Sequence, residues 1–296
     1  MPREHPLVRV VTLVRYRFFL YAGLLPYLLG AAWAYAVARE FDAALFWSGL
    51  GGVVLSVIGV EAFNEYFDAR MGTDRVFNPE DIPPIAQAVF WIGCVAFAAA
   101  LAIAIFLSVR IGWPILAFAL LGGAAAIFYE APPIRWSYRG LGELMIALSY
   151  GPWMVLGSLY LHTRSLSWGA FAASWVPACF IMALAVVNAI PDFHQDRLVG
   201  KRNLVVRAGR ENAVYLYLGL AGAGLAVIVM GVIARAFTPW ALAALAAIVP
   251  VVASARCALR NFSSPRQFLP AMRSMVMAYV VVTGLFTAAI FTQSFG

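Results

Sequence analysis

Apolar residues in this chain come in runs of about twenty, and polar residues gather in the gaps between them. Two runs, 43–60 and 90–109, hold no charged residue at all, and each reaches the ~18 residues that mark a membrane-crossing helix. Only helices and closed barrels satisfy their backbone inside a bilayer, and runs of this length mean helices. The pattern predicts nine, at about 16–38, 43–63, 88–109, 111–129, 141–161, 168–190, 213–234, 237–256 and 271–293. The expected fold class is all-α, a polytopic membrane protein of nine transmembrane helices.

Composition sharpens this. Of 296 residues, 63% are hydrophobic and 12% charged, whereas a soluble domain carries about 25% charged residues. Disorder, a collagen-like repeat and a small disulfide scaffold are excluded on the same grounds. The net charge of +7 does not point to nucleic acid, because the cations lie in the gaps between apolar runs, as topology requires. The gaps after helices 1, 3, 5 and 7 carry one each, Arg39, Arg110, Arg164 and Arg235, and the other side carries the remaining 17 of 21. That asymmetry places the N-terminus and the long loops in the cytoplasm and the C-terminus outside, across an inner membrane of the bacterial or archaeal kind. Met1–Arg9 lacks the pattern of a cleavable leader, so the start is expected to be retained. Cys94, Cys179 and Cys257 form no C-x-x-C pair and read as small packed hydrophobes.

The acidic residues are few and clustered. Glu61, Glu65, Asp68, Asp74, Glu80 and Asp81 lie at the mouth of helix 2 or in the loop beyond it, and Asp192 and Asp196 follow helix 6. Both stretches contain Asn-x-x-x-Asp, as Asn64/Asp68 and Asn188/Asp192, four helices apart. One domain over 1–296 with two pseudo-repeats, 16–129 and 141–256, and a ninth helix at 271–293 is the expectation, with a site between the halves. Residues four apart share a helix face, so Asn64 projects with Asp68, and Asn188 with Asp192 and Asp196. Like charges so placed are costly near lipid without a cation. Hard oxygen ligands suit Mg²⁺, which takes one or two carboxylates and completes its shell with water and phosphate oxygens. Two such faces could hold a diphosphate through Mg²⁺; the plainer alternative is solvated loop acids balancing nearby arginines.

Between them, Tyr129-Glu130-Ala-Pro-Pro-Ile-Arg135-Trp-Ser-Tyr138-Arg139 ends helix 4 at its prolines. Its arginines and tyrosines offer donors to phosphate oxygens, or simply hold the loop in the cytoplasm. Lys201 is the only lysine in the chain, beside the second acidic motif.

These residues resemble a family. Asn64-Glu65-Tyr66-Phe67-Asp68 with Gly72 and Asp74 is similar to the first aspartate-rich motif of the intramembrane aromatic prenyltransferases, the UbiA superfamily, and Asp192-x-x-x-Asp196 with Gly200-Lys201-Arg202 resembles the second. Pro132-Pro133-Ile-Arg135-Trp-Ser-Tyr138-Arg139-Gly-Leu-Gly-Glu143 resembles a loop of the 1,4-dihydroxy-2-naphthoate prenyltransferase branch. The resemblance implies nine helices around a central cavity open to the cytoplasm. It implies Mg²⁺-dependent transfer of a polyprenyl group from its diphosphate to an aromatic acceptor, in prenylquinone synthesis. Carried over, Asn64, Glu65, Asp68, Asp74, Asp192 and Asp196 would hold metal. Asn64, Arg75, Tyr129, Arg135, Tyr138, Arg139 and Asn188 would bind substrate, and Asp68, Asp192 and Lys201 would be catalytic. The expected partners are the polyprenyl diphosphate, the acceptor and the lipid bilayer, with no nucleic acid. A membrane terpene cyclase would use the same ionisation without an acceptor, and a secondary transporter would use the acids as an ion site, though usually nearer the midplane.

Overall fold

The computed structural model describes residues 16–71 and 87–293, which are helical nearly throughout, with no strand among the described residues. The long helices are α1 (Tyr16–Trp33, running on as a π turn Ala34–Ala38), α2 (Ala43–Met71), α3 (Gln87–Ile111), α4 (Pro114–Glu130), α5 (Gly142–Thr163), α6 (Trp168–Ala189), α7 (Arg210–Ile233), α8 (Pro239–Asn261, opening as a 3₁₀ stretch) and α9 (Pro265–Thr292). Among the described residues seven are long and apolar enough to cross a membrane, and two apolar helices, Ala22–Ala38 and Pro114–Glu130, are shorter. This is an integral membrane protein of the expected all-α class.

Lipid, not water, dictates the layering. Large apolar side chains face outward, Trp168 at 87% and Val109 at 84% exposure, while the interior is rich in alanine, including Ala170, Ala173, Ala178, Ala183, Ala213 and Ala221, all fully buried. Small residues let helices approach closely where no hydrophobic drive separates inside from outside. Buried hydroxyls find backbone carbonyls across helix pairs: Tyr279 Oη donates to Ala22 O at 2.9 Å, and Ser158 Oγ to Tyr27 O at 2.7 Å. Each such bond ties two helices where an unmet donor would be expensive.

The dense core gathers around α6 and its neighbours α7 and α9. The other side of the bundle encloses a cavity of about 260 Å³ between α2, α3, α4 and α5. Its wall on α5 is a π turn, Ser149–Trp153, containing Pro152; proline removes a ladder hydrogen bond and the extra residue turns Ser149, Tyr150 and Trp153 toward the cavity. Gly151 sits in this turn because a Cβ there would strike Ala178 and approach Ser174 O at 2.9 Å on α6.

Two expectations need correction. Helix 2 does not stop at 63: α2 continues to Met71, so Asn64, Glu65 and the backbone of Asp68 stand on helix and not in a loop. Helix 6, by contrast, ends at Ala189. Pro191, with no N–H, breaks it, and Asp192 begins a separate short helix, Phe193–Leu198. Asp192 and Asp196 still stand one turn apart, with Asp196 N donating to Asp192 O at 2.8 Å. Asn188 stands in the last turn of α6, before that break.

Candidate active site

Several of the predicted side chains collect at the end of the bundle where α2, α4 and α6 finish and α5 begins. Asn64, from the last turns of α2, and Tyr129, from the last turn of α4, both line the cavity at this end. Glu130 follows Tyr129 directly and is buried, as are Lys201, Asp196 and Asn203. Lys201 Nζ lies 3.0 Å from Glu130 Oε1 and 3.9 Å from Asp196 Oδ1. The ring of Tyr138 lies beneath two cations, Lys201 Nζ at 5.9 Å and Arg135 Cζ at 5.2 Å from its centroid. One ammonium thus stands between two buried acids and against an aromatic face, a geometry that a compact charge fits.

Local backbone chemistry fixes this arrangement. Asn203 caps the short helix Leu204–Ala208: its Oδ1 accepts from Val206 N at 2.8 Å, while its Nδ2 donates to Asp196 Oδ2 at 2.6 Å. The cap residue therefore also sets the carboxylate. Glu143, in the first turn of α5, accepts from Leu204 N at 2.9 Å, which binds the α6–α7 connection to α5. Arg207 completes the clamp, donating through Nε to Arg202 O at 2.7 Å and through Nη2 to Arg139 O at 2.8 Å. Gly140, at φ +74°, is required here, since a Cβ would run into the Arg207 guanidinium.

The predicted residues divide. Arg135, Tyr138, Lys201 and Asp196 meet in one cluster, and Asn64 and Tyr129 share the cavity wall. Arg139 is exposed, with Nη2 bonded to Pro133 O at 3.4 Å, and reaches the cluster only through its backbone. Glu65, Asn188 and Asp192 are half-buried at their helix ends. Asp74, Arg75 and the side chain of Asp68 lie outside the described residues. Among the described residues no group of three His, Cys, Asp or Glu side chains is placed to hold a metal ion. Mg²⁺ does not need one, taking one or two carboxylates with water and phosphate, and the acidic and amide oxygens here are the hard donors it prefers.

Glu130, Glu143 and Asn203 were not among the predicted site residues. Glu130 carried a signal: an acid in the last turn of a helix opposes the helix dipole and calls for a cation, which Lys201 supplies. Asn203, just before an apolar stretch, has the form of an N-cap. In the loop between α4 and α5, the donors Arg135 Nε, Trp136 Nε1 and Ser137 Oγ are buried without a protein partner. Buried donors are ordinarily satisfied, so this is where an anionic ligand would be best received.

The sequence model of the UbiA prenyltransferase family matches residues 23–278. The chain belongs to the UbiA prenyltransferase family. Among this family's curated members, it is similar to the 1,4-dihydroxy-2-naphthoate octaprenyltransferase of Mycobacterium tuberculosis, 27% identical over 260 residues, covering 82% of this chain and 85% of that one. It also resembles the 2-carboxy-1,4-naphthoquinone phytyltransferase of Synechocystis, 26% identical over 220 residues, 70% of this chain and 69% of the relative. A solved UbiA homologue from Aeropyrum pernix shares the fold, with a TM-score of 0.68 at 17% identity over 92% of this chain and 98% of that one. A homologue from Archaeoglobus fulgidus, solved with GPP and Mg²⁺, gives 0.63 at 16% identity, over 95% and 99%.

Proposed function

We propose that this UbiA-family protein transfers a polyprenyl group from its diphosphate to an aromatic acceptor, with Mg²⁺, in the making of a prenylquinone. The observation that carries the reading is the succession of two environments at one helix end. An apolar cavity, suited to an isoprenoid tail, has Asn64 and Tyr129 on its wall, and Glu130, the next residue after Tyr129, belongs to the buried Lys201–Glu130–Asp196 cluster, followed in the chain by the unpartnered donors of Arg135, Trp136 and Ser137. The relatives named for naphthoate and naphthoquinone acceptors support the quinone class, and the Archaeoglobus homologue supports the diphosphate and the metal. The charge asymmetry supports a cytoplasmic location for this end.

On this reading the allylic C–O bond breaks with its electron pair leaving on the diphosphate oxygen, an electron-rich acceptor carbon attacks the cation, and that carbon then loses its proton, or its carboxylate as carbon dioxide, whose bonding pair restores the aromatic ring. Mg²⁺, held by Asn64, Glu65, Asp68, Asp74, Asp192 and Asp196 or a subset of them, would neutralise diphosphate charge. Lys201, Arg135 and the loop donors stabilise the charge that grows on the leaving oxygen, which lowers the barrier beyond its effect on binding. The cavity excludes water from the cation, and the rings of Tyr129, Tyr150 and Trp153 on its wall offer negative π faces. The test is purified protein with Mg²⁺, prenyl diphosphates and a panel of aromatic acids, read by product mass. A prenylated acceptor that disappears in EDTA and in Asp192→Ala supports the proposal. Diphosphate release giving only a hydrocarbon would show a cyclase, and turnover undiminished in EDTA would refute the metal role.

A further inference from the structure

We infer that the hairpin of α8 and α9 carries, on its lipid-facing side, a binding site for an anionic phospholipid, built by Arg256, Arg260, Arg266 and Arg273. The inference is independent of the chemistry proposed above. The two helices lie antiparallel and in contact, with Ser254 Oγ donating to Ala271 O at 2.9 Å and Cys257 Sγ to Gln267 O at 3.4 Å. Val251, Ser254 and Ala258 on α8 and Phe268, Ala271 and Met275 on α9 are buried and mark the core face of the hairpin. At about 100° per residue the four arginines stand roughly 150–175° round from the centre of that face, and all four are exposed. No acid answers them. The last acidic residue in the chain is Glu211, and none of the four makes an ion pair among the described residues.

Their depth matches the phosphate layer. The hydrocarbon core is about 30 Å thick, or about 20 helical residues. Counted from its far end at Thr292, α9 leaves the hydrocarbon at Arg273. α8 opens with the 3₁₀ stretch Pro239–Ala247, which rises about 2.0 Å per residue before the α-helical part at about 1.5 Å. Counted from Pro239, it leaves the hydrocarbon just before Arg256. Arg260 and Arg266 lie farther out. Toward the bilayer the two stripes continue in Val249, 71% exposed, and Met277, 56% exposed. Each stripe thus runs from cations to an apolar side chain, the order of a phospholipid's head and chains. Membrane topology asks only for cations near the end of a span, on any face; it does not call for one lipid-facing stripe on each of two neighbouring helices. Arginine suits the role, because its long stem lets the charge rise to the phosphates and its fork grips them through paired N–H groups.

The test takes the full chain, delipidated in a non-ionic detergent, and titrates in phosphatidylglycerol or phosphatidylcholine with the same acyl chains, reading bound lipid by native mass spectrometry. Near an anionic headgroup each arginine is worth roughly fivefold in affinity, so phosphatidylglycerol should bind wild type at least about tenfold more tightly than phosphatidylcholine. Arg256→Gln with Arg273→Gln should weaken phosphatidylglycerol by about 25-fold, two such contributions, and leave phosphatidylcholine unchanged. An unchanged melting point in detergent alone certifies the fold, and Arg260→Gln with Arg266→Gln repeats the measurement on the other half of the site. Arg197→Gln with Arg202→Gln, which removes two exposed cations from the α6–α7 connection, should leave the preference as it is in wild type. Equal binding of the two lipids, or a loss as large in the Arg197 and Arg202 pair as in both hairpin pairs, overturns the site. Displacement of the lipid by millimolar inorganic phosphate also overturns it, since the arginines would then hold a free anion and not a lipid.

Discussion

Lys201 invites the obvious substitution, and the structure shows why that substitution alone misleads. Its ammonium lies 3.0 Å from Glu130 and 3.9 Å from Asp196, with side-chain exposures of 9%, 4% and 8%. On the proposed reading Lys201→Met removes a contact to the leaving diphosphate, and it also takes the cation away from a buried carboxylate. Breaking a buried pair by removing one partner costs about 3–5 kcal/mol in stability. Losing one charge-assisted contact in the transition state costs about 1.5–3 kcal/mol, roughly 10- to 150-fold in rate. The two losses are separable by a cycle with Glu130→Gln, which relieves the stranded charge at nearly constant shape.

Melting in detergent and steady-state kinetics would be measured for wild type, both single variants and the double variant. Lys201→Met should melt well below wild type, and the double variant should recover most of that loss. The double variant should nonetheless remain 10- to 150-fold slow in kcat with a modest change in KM, because a group that acts as the C–O bond breaks lowers kcat more than it aids binding. Lys201→Arg should retain part of the rate, since charge survives while the planar fork alters the geometry. If the double variant regains wild-type kcat, Lys201 is a counterion for Glu130 and nothing more, and Arg135 becomes the better candidate for the leaving group.

Asn203 carries two roles that substitution can divide: Asn203→Ala should lose the cap, about 0.5–2 kcal/mol of stability, together with turnover. Asn203→Asp should keep the cap but set two buried carboxylates against each other at Asp196, so it should lose more stability than the cap alone is worth, and turnover with it; full activity there would show the hold on Asp196 to be dispensable. In a background with Cys94, Cys179 and Cys257 replaced, a cysteine at Gln195 should react only from the cytoplasmic side and one at Arg164 only from outside. Equal reactivity of both from one side would refute the orientation.

The helices were legible because lipid leaves the backbone no alternative, so uncharged runs such as 43–60 and 90–109 fell inside α2 and α3. The ends were less legible, each for a local reason. At α2 the predicted helix stopped at 63, where the apolar run gives out, yet nothing in the polar residues beyond breaks a helix, and α2 runs to Met71. At α6 the four-residue spacing read as one face, yet Pro191 stands inside it and divides Asn188 from Asp192. Spacing indicates a shared face only where the helix is continuous, and a proline inside the spacing outranks the periodicity.

Partnership was the least legible property, and Glu130 shows why. Its sequence neighbours are an apolar helix and a pair of prolines, and its cation is 71 residues away. What the sequence did hold was the imbalance: an acid at a helix C-terminus is on the wrong end of the dipole, and the chain has one lysine. Each oddity alone has an ordinary explanation; that they meet at 3.0 Å joins them. The same logic covers the small core of Leu107, Ile115 and Leu161, which sit on three different helices and look like any lipid-span residues until packing brings them together. Residues that build an element are written beside one another in the chain. Residues that build a site are joined only by the fold, so sequence marks them through what is locally out of place.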